Sequence, residues 1–157
     1  MVIHKISLID EPSTRTLGER LAGVWTYPTV VLLSGNLGAG KTTCVQGIAA
    51  GLGVVEAVTS PTFALIEEYE GARGRLVHMD LYRLESHEIP ALGLEEIWER
   101  GDLVAIEWPE RLPFLPADHL RVTLEHGEPR TATLEARGNA AEGMLTALMA
   151  AVESALR

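Results

Sequence analysis

Nine consecutive residues, Gly35-Asn36-Leu37-Gly38-Ala39-Gly40-Lys41-Thr42-Thr43, carry the densest chemical information in the chain. They satisfy the pattern G-x-x-x-x-G-K-[ST] at every fixed position. Glycines at this density let the backbone curl so that successive N–H groups point inward as a nest for an anion. A helix starting near Lys41 adds the positive end of its dipole. Lys41 supplies a mobile cation for β- and γ-phosphates, and the Thr42 hydroxyl is placed to ligate Mg²⁺. The chemistry expected here is the binding of a nucleoside triphosphate. The pattern leaves open what happens to that nucleotide afterwards.

A magnesium ion on a nucleotide also draws on a carboxylate, often one that ends a neighbouring buried strand. Two residues qualify. Glu107 follows the apolar run Leu103-Val104-Ala105-Ile106, and Asp80 follows Leu76-Val77-His78-Met79. Parallel strands end on the face where ligands bind, so both acids stay as candidates. Ser60-Pro61-Thr62-Phe63 is a hydroxyl-bearing loop, read either as a proline-set turn or as a switch whose Thr62 reaches the γ-phosphate. His78, two residues before Asp80, reads either as half of a metal pair or, as favoured here, as a residue that faces the opposite side of the sheet from its apolar neighbours. Cys44 reads as a small core residue, and Trp98 as core or a subunit contact. Trp108, next to Glu107, reads as a turn residue or as an aromatic wall beside a ligand.

The elements around these residues alternate between strand and helix. Residues 2–9 read as a strand, and a helix capped by Ser13 places Leu17, Leu21 and Val24 on one face. Residues 29–33 form a continuous apolar run, the mark of a strand buried on both faces of a parallel sheet. Residues 41–52 are helical by pattern, with Gly53 as the stop. Residues 63–70 and 75–80 flank a glycine-bearing turn as a hairpin. A helical stretch from Ser86 is interrupted by Pro90, and a short amphipathic segment follows through Leu94, Ile97 and Trp98. Residues 103–106 give the second buried strand, and residues 119–125 and 130–136 give two late ones. A final helix capped by Asn139 runs toward Leu156. The expected architecture is a three-layer α/β fold with a mixed, partly parallel sheet, formed by residues 1–157 as one domain.

Composition narrows the partners. Of 157 residues, 46% are hydrophobic and 22% charged, which is globular rather than disordered. The net charge of −9 argues against a protein that grips nucleic-acid phosphates over a broad surface. One cysteine excludes an internal disulfide and any multi-cysteine zinc site, as suits a reducing compartment. No apolar run approaches the ~20 residues of a membrane span, and the first residues lack a secretory h-region, so a cytoplasmic location is expected.

Taken together, four segments resemble the bacterial TsaE ATPases of tRNA threonylcarbamoyladenosine synthesis. They are the glycine-rich loop with its Lys41-Thr42-Thr43, Ser60-Pro61-Thr62-Phe63, His78-Met79-Asp80-Leu81-Tyr82-Arg83-Leu84 and Ile106-Glu107-Trp108-Pro109. The last three make the match far more specific than the loop alone, and the resemblance spans residues 11–130. Asn36 stands where Asp is commoner and Met79 where Phe is common, and neither is expected to touch phosphate. The resemblance implies a P-loop NTPase fold and a set of roles. Gly38, Ala39, Gly40, Lys41, Thr42 and Thr43 would hold the phosphates of ATP, with Thr42 and Glu107 on Mg²⁺. Thr62 would approach the γ-phosphate from a switch, and Asp80 would position water or metal. Glu11 and Arg130 would border the base. It further implies ATP hydrolysis that resets a TsaD–TsaB complex, which threonylcarbamoylates the adenosine beside the anticodon of ANN-decoding tRNAs.

Two other functions share the cradle. A small-molecule kinase would add a lid of phosphate-clamping arginines, for which Arg73, Arg75 and Arg83 are the candidates. A nucleotide-gated binding module would use ATP binding with incidental hydrolysis. A GTPase is disfavoured, because the sequence has no N/T-K-x-D guanine-reading motif and no D-x-x-G switch.

Overall fold

A computed structural model describes residues 1–59 and 66–155 of the chain. The elements are β1 (Val2–Leu8), α1 (Glu11–Val24), β2 (Val30–Ser34), α2 (Lys41–Gly51), β3 (Ile66–Gly71), β4 (Gly74–Asp80), α3 (Leu94–Glu99), β5 (Leu103–Glu107), β6 (His119–Glu125), β7 (Arg130–Arg137) and α4 (Asn139–Ala155). Short 3₁₀ turns cover Ser86–Leu92 and Pro109–Arg111. The Ser60-Pro61-Thr62-Phe63 loop, Thr62 included, lies outside the described residues, as does Leu156.

The strands form one seven-stranded sheet in the order β1-β7-β6-β2-β5-β4-β3. The four central strands β6, β2, β5 and β4 run parallel. The outer pairings β1–β7, β6–β7 and β3–β4 are antiparallel. β2 and β5 are buried at every position, as continuous apolar runs between two covering layers require. One layer is α1, α2 and α4, packed on Leu33, Leu76, Leu103 and Leu120. The other is the Ser86–Leu92 turn with α3 and Leu112, packed on Leu32, Val77, Val104 and Ile106. The sheet is mixed and partly parallel, and the architecture has three layers, both as the alternating pattern implies.

Two helix starts differ from the sequence reading. α1 begins at Glu11, and its cap is Asp10 rather than Ser13. The Asp10 carboxylate accepts the Ser13 backbone N–H at 2.9 Å and the Ser13 hydroxyl at 2.6 Å, so Ser13 is the donor in the pair. Pro12 sits in the first turn, where a missing N–H costs nothing. At α4 the Ala140 N–H is taken by Asp118 Oδ1 at 2.9 Å, a cap delivered from the start of β6 instead of by Asn139.

The helix that forms the site is fixed by unusually close packing. A Cβ on Gly47 of α2 would stand 2.0 Å from the Arg15 carbonyl oxygen, and one on Gly18 of α1 would stand 2.1 Å from that of Cys44. Backbone therefore meets backbone where α1 crosses α2, which only glycine permits on both sides. Cys44 is fully buried at this crossing, in the core role expected of it.

Candidate functional site

Everything in the site follows from where β2, β4 and β5 stop. β2 ends at Ser34 and hands the chain to the glycine-rich loop, which delivers Lys41 as the first residue of α2. β4 and β5 end in register, with Asp80 directly beside Glu107. Residues two apart on a strand share a face, so Leu76, His78 and Asp80 of β4 line up with Leu103, Ala105 and Glu107 of β5 beneath α2. The two candidate acids therefore converge beside the N-terminus of α2. This is the crevice at strand carboxyl ends where open α/β sheets bind ligands.

The loop is built for an anion. Gly38 and Gly40 adopt φ of 79° and 105°, a region closed to most side chains, and α2 starts without a side-chain cap at Gly40. Amides at this terminus thus remain available to a ligand. The cleft above has a volume of about 340 Å³ and is lined by Gly38, Gly40, Lys41, Thr42, Thr43, Asp80, Glu107, Glu11 and Arg130, together with Leu37, Tyr82 and Trp108. Nearly all the residues singled out in the sequence meet here. Arg130 reaches it from β7, its Nη1 lying 3.1 Å from where a Cβ on Gly40 would be. Glu11 reaches it from the first turn of α1. Ala39 differs from the rest: its methyl is buried and its N–H bonds the Asn36 carbonyl at 3.1 Å.

Lys41 is buried at 5% exposure. Its ammonium donates to the Gly35 carbonyl and, at 3.3 Å, to that of Asn36. It also lies 4.2 Å from the centre of the Trp108 ring, a cation–π contact. Burial pulls its pKa below the ordinary lysine value, while the charges of Glu107, Asp80 and Glu110 act in the opposite direction. Trp108 opens the Pro109–Arg111 turn and also lines the cleft: its backbone is left-handed at φ 60°, and its ring centre lies 4.8 Å from that of Tyr82. A bulky residue in that conformation costs on the order of 1–3 kcal/mol. Strain of this kind concentrates where side chains serve a ligand.

The oxygen donors suit a hard divalent cation. Thr42 Oγ1 lies 3.5 Å from Glu107 Oε2, so a hydroxyl and a carboxylate already face each other at the head of α2. Asp80 Oδ1 accepts the Tyr82 N–H at 3.0 Å, which orients its carboxylate. One contact was not legible from spacing. His78, fully buried, brings Nε2 to 2.6 Å from the same Glu107 Oε2. The alternation of β4 does turn His78 away from Val77 and Met79, as expected, but its partner is 29 positions distant and only strand register reveals it.

Two of the arginines considered for a kinase lid are engaged elsewhere. Arg73 donates to the Gly51 and Ala50 carbonyls at the far end of α2. Arg75 pairs with Glu68 and Glu70 on the β3–β4 hairpin. A second hollow of about 450 Å³ lies over the β6–β7 surface, where Arg121 and Arg137 sit beside Glu135. It has no glycine nest and no helix terminus.

Comparison with known proteins agrees with this geometry. A family model described as threonylcarbamoyl adenosine biosynthesis protein TsaE matches residues 8–134. The tRNA threonylcarbamoyladenosine biosynthesis protein TsaE of Nostoc sp. is 48% identical over 128 residues, 79% of each chain. That of Bacillus subtilis is 35% identical over 134 residues, 83% of this chain and 84% of the relative. The crystal structure of Bacillus subtilis YdiB superposes with a TM-score of 0.77 at 31% identity, covering 94% of this chain and 95% of the other. With the family model spanning both strand-end acids and the glycine-rich loop, the chain belongs to the TsaE family and has its P-loop NTPase fold.

Proposed function

We propose that this protein is a Mg²⁺-dependent ATPase that serves tRNA threonylcarbamoyladenosine synthesis by resetting a TsaD–TsaB-type complex between turnovers. One observation carries the reading: Lys41, Thr42, Asp80 and Glu107 converge in a single cleft at an uncapped helix N-terminus. The amides of Gly38, Gly40 and Thr43, with the Lys41 ammonium, hold the phosphates. Thr42 and Glu107 would hold Mg²⁺, which when bound would supply charge neutralisation for the phosphates. The Lys41 ammonium has three N–H donors, so beyond its bonds to the Gly35 and Asn36 carbonyls it keeps one for a phosphate oxygen, a charge-assisted bond. Asp80 orients the attacking water, and Thr62, which lies outside the described residues, is assigned to the γ-phosphate on the family resemblance alone. Glu11 and Arg130 border the base from opposite elements.

Catalysis on this reading is positioning and charge neutralisation, with no covalent intermediate on the protein. Arg130 is the arginine among the described cleft-lining residues and is assigned here to the base, which leaves none there to clamp the phosphates. Turnover by the isolated chain is therefore expected to be slow and accelerated by the partner complex. The acidic surface agrees with docking on a protein partner and reaching tRNA through it. The engagement of Arg73 and Arg75 away from the cleft weighs against a kinase. The test is to follow phosphate release with and without the TsaD–TsaB complex and tRNA. Release to water, stimulated by the complex and required for repeated rounds of modification, is expected. Transfer of the γ-phosphate to an added hydroxyl compound, or undiminished multi-round modification without hydrolysis, contradicts it.

A further inference from the structure

We propose that His78 is a positioning residue that holds the Glu107 carboxylate in its metal-binding orientation through the Nε2–H to Oε2 hydrogen bond. The inference rests on the reading of Glu107 as a Mg²⁺ ligand and adds the group that aims it. Three observations carry it. The bond is short, 2.6 Å, and joins two side chains that are 0% and 3% exposed. Both His78 Nε2 and Thr42 Oγ1 converge on the same oxygen, Oε2, so the carboxylate is gripped from the sheet below and from α2 above. His78 Nδ1 has no hydrogen-bond partner among the described residues.

A carboxylate serving as a metal ligand only accepts, so the N–H of this bond is assigned to His78 Nε2, and Nδ1 is left as the buried atom without a partner among the described residues. Leaving a ring nitrogen buried without a partner costs on the order of the lost hydrogen bond. A sequence that needed only to fill this space would place an apolar residue here, as Leu76 does two positions earlier on the same face. His78 is paired with Ala105 across β4 and β5, and Glu107 lies two residues further along β5 on the same face. Groups that hydrogen-bond a metal's carboxylate ligand orient it before the ion arrives, and removing them weakens metal binding by about 10- to 100-fold.

The experiment measures ATP affinity by calorimetry with Mg²⁺ and with EDTA, in wild type, His78→Leu, His78→Gln and Glu107→Ala. Leu keeps bulk without a donor, and Gln restores an N–H near the position of Nε2. The expected result is that His78→Leu loses about 10-fold or more of the Mg²⁺-dependent gain in affinity while binding in EDTA stays within about 2-fold. His78→Gln recovers most of that gain. Full Mg²⁺ dependence in His78→Leu, or no recovery in His78→Gln, overturns the proposal. The underlying reading fails separately, if wild type shows no Mg²⁺ dependence or Glu107→Ala retains all of it. Should His78→Leu not fold, ¹⁵N NMR of the wild-type imidazole decides. A protonated, hydrogen-bonded Nε2 in both the free and the Mg²⁺·ADP states supports the assignment, and a proton on Nδ1 or an Nε2 bond lost on Mg²⁺·ADP binding contradicts it.

Discussion

Asp80 and Glu107 are neighbours in register yet held differently, and that difference separates their expected effects. Glu107 is buried and fixed by His78 and Thr42, whereas Asp80 at the strand end is oriented by the Tyr82 amide. Glu107→Ala and Asp80→Ala are each expected to lower turnover by about 100-fold, the size found when one electrostatic stabiliser is removed. Glu107→Ala also loses Mg²⁺ affinity, while Asp80→Ala leaves nucleotide affinity nearly intact. Steady-state kinetics at several Mg²⁺ concentrations reads both, and equal turnover by wild type and both variants would remove these acids from the mechanism. Cys44 gives a second residue-level expectation. Burial, reinforced by the Glu107 charge, pushes its thiol up to about 12 from an ordinary value of 9.0. The native thiol therefore resists a disulfide reagent at pH 8 and reacts at once in denaturant. The sign for stability follows from linkage: the unfolded thiol ionises near pH 9 and the folded one only near 12. Its contribution is therefore complete below pH 9 and lost as pH rises through that window. Rapid labelling of folded protein would contradict the burial.

The elements hold the site still through one crossing. α2 carries Lys41, Thr42 and Thr43 at its head, and the contact of Gly47 with the Arg15 backbone sets where that head points. Gly47→Ala places a methyl against backbone that cannot rotate aside, and a cost of about 3 kcal/mol is expected from overpacking. Gly143→Ala is the control: nothing lies within 4 Å of its Cβ position in α4, so the change stabilises by about 0.5–1 kcal/mol through helix propensity. Urea unfolding distinguishes the two, and equal midpoints would refute the packing account. Much at this level was legible in the sequence, because β2, β5 and α2 announce themselves by apolar runs and the glycine pattern. What escaped depended on chain segments meeting in space. Asp118 caps α4 from 22 positions away, and His78 meets Glu107 across 29. Asp10 displaced Ser13 because a residue that can accept and one that can donate stood three apart, and spacing alone does not say which does which. The Ser60–Phe63 loop lies outside the described residues, so the part Thr62 plays rests on the proposal.

At the scale of the whole molecule, one cleft joins Lys41, Arg130 and the amides at the head of α2 on a chain of net acidic charge. A net charge of −9 repels polyanions, while Lys41, Arg130 and the amides at the head of α2 form a local exception. The residues lining the cleft are drawn from five elements, α1, α2, β4, β5 and β7, with their adjoining loops, which the mixed sheet and its covering helices bring together. No helix among the described residues is long and apolar enough to cross a membrane. The central claim is that this cleft grips a triphosphate through amide hydrogens and the Lys41 ammonium. Calorimetric titration of ATP with Mg²⁺ tests it most directly. One site per chain is expected in wild type, with affinity reduced about 100-fold or more in Lys41→Ala, because hydrogen bonds to a charged group contribute about 1.5–3 kcal/mol each. Absence of binding in wild type, or undiminished affinity in folded Lys41→Ala, would contradict the account.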